Sequence, residues 1–153
     1  MELTGSRDEI VLINLVADKV YRQIAQETGN SESAVHRMGL CTELSELLNI
    51  ELRRIGFTSH LIETPRGAEY SHSHVGLDKD WRIDPSWQQY LPGGASYKLS
   101  GAYLPDMERR NPPKVLVVRT QNLPKVLSSW GLPARVHQIW TNTEIRRDDL
   151  VTK

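Results

Sequence analysis

The stretch GLCTELSELLNIELRRIGFTSHLIETPRGAEYSHSHVGLDKDWRIDPSWQQY, residues 39–90, decides how this chain folds. It holds the only cysteine, Cys41, then His74 in an extended segment, then Asp84. Leu44, Leu47, Leu48, Leu52 and Ile55 recur at helical spacing behind the cysteine, which predicts a helix beginning at Cys41 itself. Gly56 ends it, after Arg53 and Arg54, whose charges suit a last helical turn. A thiol at a helix N-terminus sits where the macrodipole and unpaired N–H groups favour the thiolate. The same N–H groups can bind an anion and so form half of an oxyanion hole.

Strand register supplies the partners. Ala68 to Leu77 can run extended, Asp78-Lys79-Asp80 makes a polar turn, and Trp81 to Asp84 can run back. A turn centred on Lys79 sets Leu77 opposite Trp81, Val75 opposite Ile83 and His74 opposite Asp84. Side chains alternate between faces, so Val75, Leu77, Trp81 and Ile83 share an apolar face while His74 and Asp84 meet on the other. Cross-strand Cβ atoms lie about 5 Å apart. A slip of one residue would expose the aliphatic set, so the pattern selects this register. The expectation is that Asp84 orients the His74 imidazole, whose other nitrogen points at Cys41: a nucleophile, base and orienter.

Working outward, Ser6 to Thr28 reads as an amphipathic helix stopped at Gly29-Asn30-Ser31, and Ser31 to Met38 as a connection with room for one helical turn. Phe57 to Glu63 is a strand candidate joined to the His74 strand by a turn at Thr64-Pro65-Arg66-Gly67. Tyr90 to Pro105, rich in Gly, Pro and Ser, reads as a long loop, with Gly93-Gly94 as a rim over the cleft. Val115 to Arg119 reads as a strand, Asn122 to Trp130 as a short helix closed by Gly131, Val136 to Trp140 as a last strand, and Arg146 to Lys153 as a frayed tail. Helices first and then a sheet make the class α+β.

The chain of 153 residues is expected to form one domain spanning residues 1–153. Lys plus Arg and Asp plus Glu stand at 19 each, so no basic field argues for nucleic acid. One cysteine excludes an internal disulfide and a multi-thiolate metal site. Met1 to Asp8 lacks the basic start of a signal peptide, and no apolar run approaches membrane-spanning length. The expectation is a cytoplasmic protein with a reduced thiol, or one exported by a route that needs no signal peptide, with no membrane partner. Nothing in the composition sets an oligomeric state.

Gly39-Leu40-Cys41-Thr42-Glu43-Leu44, Ser73-His74-Val75-Gly76-Leu77 and Trp81-Arg82-Ile83-Asp84-Pro85-Ser86-Trp87 resemble the core of transglutaminase-like proteins, part of the papain-like superfamily. The resemblance implies a papain-like fold, with Cys41 as nucleophile, His74 as base and Asp84 as orienter. It implies acyl transfer from an amide through a thioester, with no cofactor and with a protein or peptide substrate. Water as acceptor gives a peptidase or glutamine deamidase, and an amine gives a transglutaminase or acyltransferase. The chain's size is similar to stand-alone bacterial members, including processing peptidases and deamidating effectors. Leu40 stands where many animal transglutaminases have a polar or aromatic residue, which argues against the calcium-dependent crosslinking enzyme.

Other residues have readings beside this one. His72 lies on the same strand face as His74, so it is expected to line the cleft near the substrate, as are Trp87 and Gln88. Trp87 also suits a shield over the His74–Asp84 pair, while Trp81 belongs to the core. One alternative is a metal-dependent enzyme built on His72, His74 and Asp84, since imidazole and carboxylate suit zinc or iron. The other is a binding module that keeps the fold without chemistry, with Cys41 an inert buried thiol.

Overall fold

A computed structural model describes residues 3–78, 80–91 and 112–146. Its elements are α1 (Arg7–Thr28), α2 (Glu32–Val35), α3 (Cys41–Arg54), β1 (Ser59–Glu63), β2 (Ser73–Leu77), β3 (Trp81–Asp84), β4 (Leu116–Arg119), α4 (Leu123–Ser129), α5 (Gln138–Thr141) and β5 (Glu144–Ile145). Short 3-10 turns cover Trp87–Tyr90, Thr120–Asn122 and Ala134–Val136. The class is α+β, with an antiparallel sheet ordered β4-β3-β2-β1-β5. None of the described helices is long and apolar enough to cross a membrane.

Local chemistry sets the helix bounds. Ser6 caps α1 through a capping box: its hydroxyl accepts from the Glu9 N–H at 3.3 Å, and the Glu9 carboxylate accepts from the Ser6 N–H at 3.1 Å. Gly29 closes α1 at φ 72°, a left-handed cap that glycine adopts without a Cβ clash. α3 begins at Cys41, and its first helical bond runs from the Leu44 N–H to the Leu40 carbonyl at 3.0 Å. Leu40 offers no side-chain cap, so the N–H groups of Cys41, Thr42 and Glu43 stand outside the helical ladder.

The register follows the hydrophobic alternation: Val75 pairs with Ile83 and Leu77 with Trp81. Lys79, on which the turn was centred, lies outside the described residues. Leu61, Val75, Leu77, Trp81 and Ile83 join residues of α1 and α3 in one buried layer. Leu116 and Val118 of β4 point the other way, into a second layer with Trp87, Tyr90, Leu127, Ile139 and Trp140. The sheet therefore separates two apolar layers, and His74, Arg82 and Asp84 lie on the second face.

Several assignments differ from the sequence reading, β1 among them, which begins at Ser59 and not at Phe57. Val136 to Trp140 forms no strand but the turn Ala134–Val136 and helix α5. Val136, Ile139 and Trp140, all fully buried, recur at helical rather than alternating spacing. The expected strand from Ala68 starts only at Ser73, because the Ala68 N–H bonds back to the Pro65 carbonyl in a turn. Arg146, assigned to a frayed tail, is tied down: its N–H donates to the Leu61 carbonyl at 3.0 Å, its guanidinium meets Glu63 at 3.1 Å, and β5 just before it pairs with β1. Of the proposed loop, Tyr90 belongs to a 3-10 turn and Leu91 is buried, while residues 92–111, with Gly93-Gly94, lie outside the described residues, as do residues 147–153.

Candidate active site

Cys41 stands half-buried at the first position of α3. One turn on, Ser45 is buried and its hydroxyl donates to the Ser73 carbonyl at 3.0 Å, which fixes α3 against the start of β2. His72 directly precedes β2 and extends the β1–β2 ladder by two bonds with Thr64: its N–H donates to the Thr64 hydroxyl at 3.1 Å, and its carbonyl accepts from the Thr64 N–H at 3.0 Å. Asp84 ends β3. The three side chains come from elements that converge where β2 begins and β3 ends.

Asp84 is fully buried, and both its oxygens are matched to donors. Oδ2 meets His72 Nε2 at 2.5 Å and accepts from the Trp140 indole N–H at 2.6 Å. Oδ1 accepts from the Ser86 N–H at 2.9 Å and the Ser86 hydroxyl at 3.3 Å. Burial pushes the carboxyl pKa up, but the charge of His72 and these bonds hold it below its ordinary value. His72 responds in the opposite sense: burial lowers it, and Asp84, then Cys41, raise it to about 9. For Cys41, burial pushes the thiol up, while His72 and the Ser73 backbone bring it below its ordinary value. His72 Nδ1, the nitrogen turned from Asp84, has no hydrogen-bond partner. The thiol is thus coupled to the imidazole without a formed hydrogen bond, as in many resting sites.

The orienting bond expected for His74 is made by His72 instead. Both rings lie on one face, stacked with centroids 5.7 Å apart, but His74 Nε2 accepts from Arg82 Nη1 at 2.8 Å. Burial, followed by the charge of neighbouring cations, pushes His74 down to about 3 despite Asp84. It is neutral at pH 7 and makes no hydrogen bond to the carboxylate. His72, expected to line the cleft, is fully buried against Tyr90 and Trp140, whose ring centroids lie 5.2 and 5.7 Å away. Alternation alone gives both histidines the same face; Arg82, an arginine on the inward face of β3, is the signal that one of them would be captured.

Trp87 and Gln88 make their hydrogen bonds to other partners. Trp87 is fully buried, packs edge-on against Trp130, and donates its indole N–H to the Pro113 carbonyl at 3.0 Å. Gln88 is buried, donates to the Pro113 carbonyl at 2.7 Å, and accepts from Arg37 at 3.0 Å. The aromatic cover of the His–Asp pair comes instead from Trp140 and Tyr90, and the sequence reading did not foresee Trp140.

His72, His74 and Asp84 place potential ligand atoms within 4.8 Å of one another. Donors on a tetrahedral zinc lie about 3.3 Å apart, given metal–nitrogen bonds of about 2.0 Å. Here Oδ2 is committed to His72 and Trp140, and Arg82 sets a cation against His74. That donor set suits a charged Asp84 that orients His72 better than it suits a metal. In comparisons with known proteins, the chain matches no family, no curated protein and no solved structure, so its chemistry is read from this geometry.

Proposed function

We propose that the chain is a cysteine-dependent acyl-transfer enzyme of papain-like, transglutaminase-like type, with Cys41 as nucleophile, His72 as base and Asp84 as orienter. The observation that carries the reading is the buried 2.5 Å bond between His72 Nε2 and Asp84, set beside a thiol at a helix N-terminus. With His72 raised to about 9 and Cys41 lowered, both shifts favour the charged members of an imidazolium–thiolate pair. The thiolate attacks a carboxamide or peptide carbonyl, and the Cys41 N–H, free of the helical ladder, stabilises the oxyanion. His72 gives its proton to the departing amine as the C–N bond breaks, leaving a thioester on Cys41. Water or an amine then attacks the thioester, His72 takes its proton, and the thiolate leaves. Glutamine deamidation, peptide hydrolysis and transamidation on a protein or peptide share these steps, and none requires a cofactor.

The test is acylation by a p-nitrophenyl ester followed by intact-mass analysis. The expected result is a burst of nitrophenol with one acyl group on Cys41, absent in Cys41→Ala and strongly slowed in His72→Gln. Equal acylation of Cys41→Ala would remove the proposal.

A further inference from the structure

We propose that Trp140 is a positioning residue of this site, its indole N–H sharing one Asp84 oxygen with His72 so that the carboxylate is held beside the imidazole with its charge divided between two donors. The inference rests on the acyl-transfer reading above. Trp140 makes a contact that packing alone does not require. Trp140 is fully buried in the second apolar layer, yet its one polar atom lies 2.6 Å from Oδ2, the oxygen that His72 Nε2 meets at 2.5 Å. Its ring stands edge-on to both His72 and Tyr90, with centroids 5.7 and 5.2 Å away. An indole N–H only donates, so this contact is unambiguous, and it binds the charged form of Asp84 in preference to the neutral one.

The backbone around Trp140 is fastened at several points. Arg82, two positions before Asp84, donates from Nη1 to the Trp140 carbonyl at 3.0 Å and from the same atom to His74 Nε2 at 2.8 Å. Beyond the helix, β5 pairs with β1 at Ile62 and Glu63, and Arg146 meets Glu63 at 3.1 Å and Glu46, on α3, at 3.5 Å. Residues 138–146 therefore form a strap from the second face back to the helix that carries Cys41. The titratable groups facing the pair are Tyr21 from α1, Cys41 from α3, His74 and Arg82 from the sheet, and Tyr90 from the 3-10 turn. Of the neutral donors, Ser86 binds the other oxygen, Oδ1, and Trp140 joins His72 on Oδ2.

Removing that donor leaves Oδ2 to His72 alone, makes the carboxylate a stronger acceptor, and tightens the hold on the imidazolium proton. The experiment is an NMR titration of isotope-labelled histidine and tryptophan side chains in the parent protein and in Trp140→Phe, which keeps an aromatic ring and deletes the N–H. The expected result is a His72 midpoint raised by about half a pH unit or more, and a parent Trp140 indole resonance that titrates with His72. An unmoved or lowered His72 midpoint, or an indole signal indifferent to that titration, overturns the inference. If Trp140→Phe does not fold, the indole signal of the parent decides. Iodoacetamide alkylation of the parent separates the two readings. An ordinary thiol there removes the acyl-transfer reading, whereas a reactive thiolate with an indifferent indole removes only the role of Trp140.

Discussion

A carboxylate without exposure keeps its charge only when donors replace its water, and Asp84 has four: His72, Trp140 and two from Ser86. Asp84→Asn keeps the shape but cannot stabilise an imidazolium. It is expected to slow ester acylation at pH 7 by roughly two to four orders of magnitude, read as the nitrophenol burst rate, and to raise the midpoint of Cys41 alkylation. A rate within threefold of the parent would show that the carboxylate does not act. At this scale the sequence was legible where a backbone rule applied: the helix starts at Cys41 and Asp84 ends its strand. It was not legible where two like side chains shared a face. His72 and His74 are separated by what lies beyond them, Asp84 for one and Arg82 for the other, and those approaches depend on strand ends and long side chains.

Between elements, the site depends on how α3 crosses β2. Ser45→Ala deletes the buried bond to the Ser73 carbonyl and leaves that acceptor unmatched. The expected cost is about 1–3 kcal/mol, measured by urea denaturation, with a slower Cys41 because the helix loses its anchor one turn away. Gly76→Ala tests the other face of β2, where an added Cβ would crowd His60 and come within 2.5 Å of Ile62 Cδ1. Overpacking of this kind is expected to cost about 1–3 kcal/mol; an unchanged urea midpoint would mean that His60 and Ile62 simply move aside. The central hairpin register was readable because its apolar residues alternate strictly. The last segment was misread because Val136, Ile139 and Trp140 are strand formers by type but helical by spacing, and burial followed the spacing.

Over the whole molecule, the two histidines give stability a pH dependence with two limbs. His72 is held near 9 in the fold against about 6.5 unfolded. Its contribution is complete below about pH 6.5 and is lost as pH rises toward 9, where only the folded state still holds the proton. His74 is held near 3, so between about pH 6.5 and 3 the unfolded chain binds a proton that the fold refuses, and stability falls as pH falls. The melting temperature is therefore expected to peak near pH 6.5, and His74→Asn to flatten the acid limb while sparing the alkaline one. Equal slopes in both proteins would contradict this assignment. The most direct measurement of the central claim, that His72 and not His74 is the partner of Cys41, is the rate of Cys41 alkylation by iodoacetamide against pH in the parent, His72→Gln and His74→Gln. If His72 is the partner, the thiol is reactive well below pH 7 in the parent and in His74→Gln and titrates ordinarily, at about 8.5, in His72→Gln. Loss of the acid shoulder in His74→Gln alone, or an ordinary titration in all three, would contradict it.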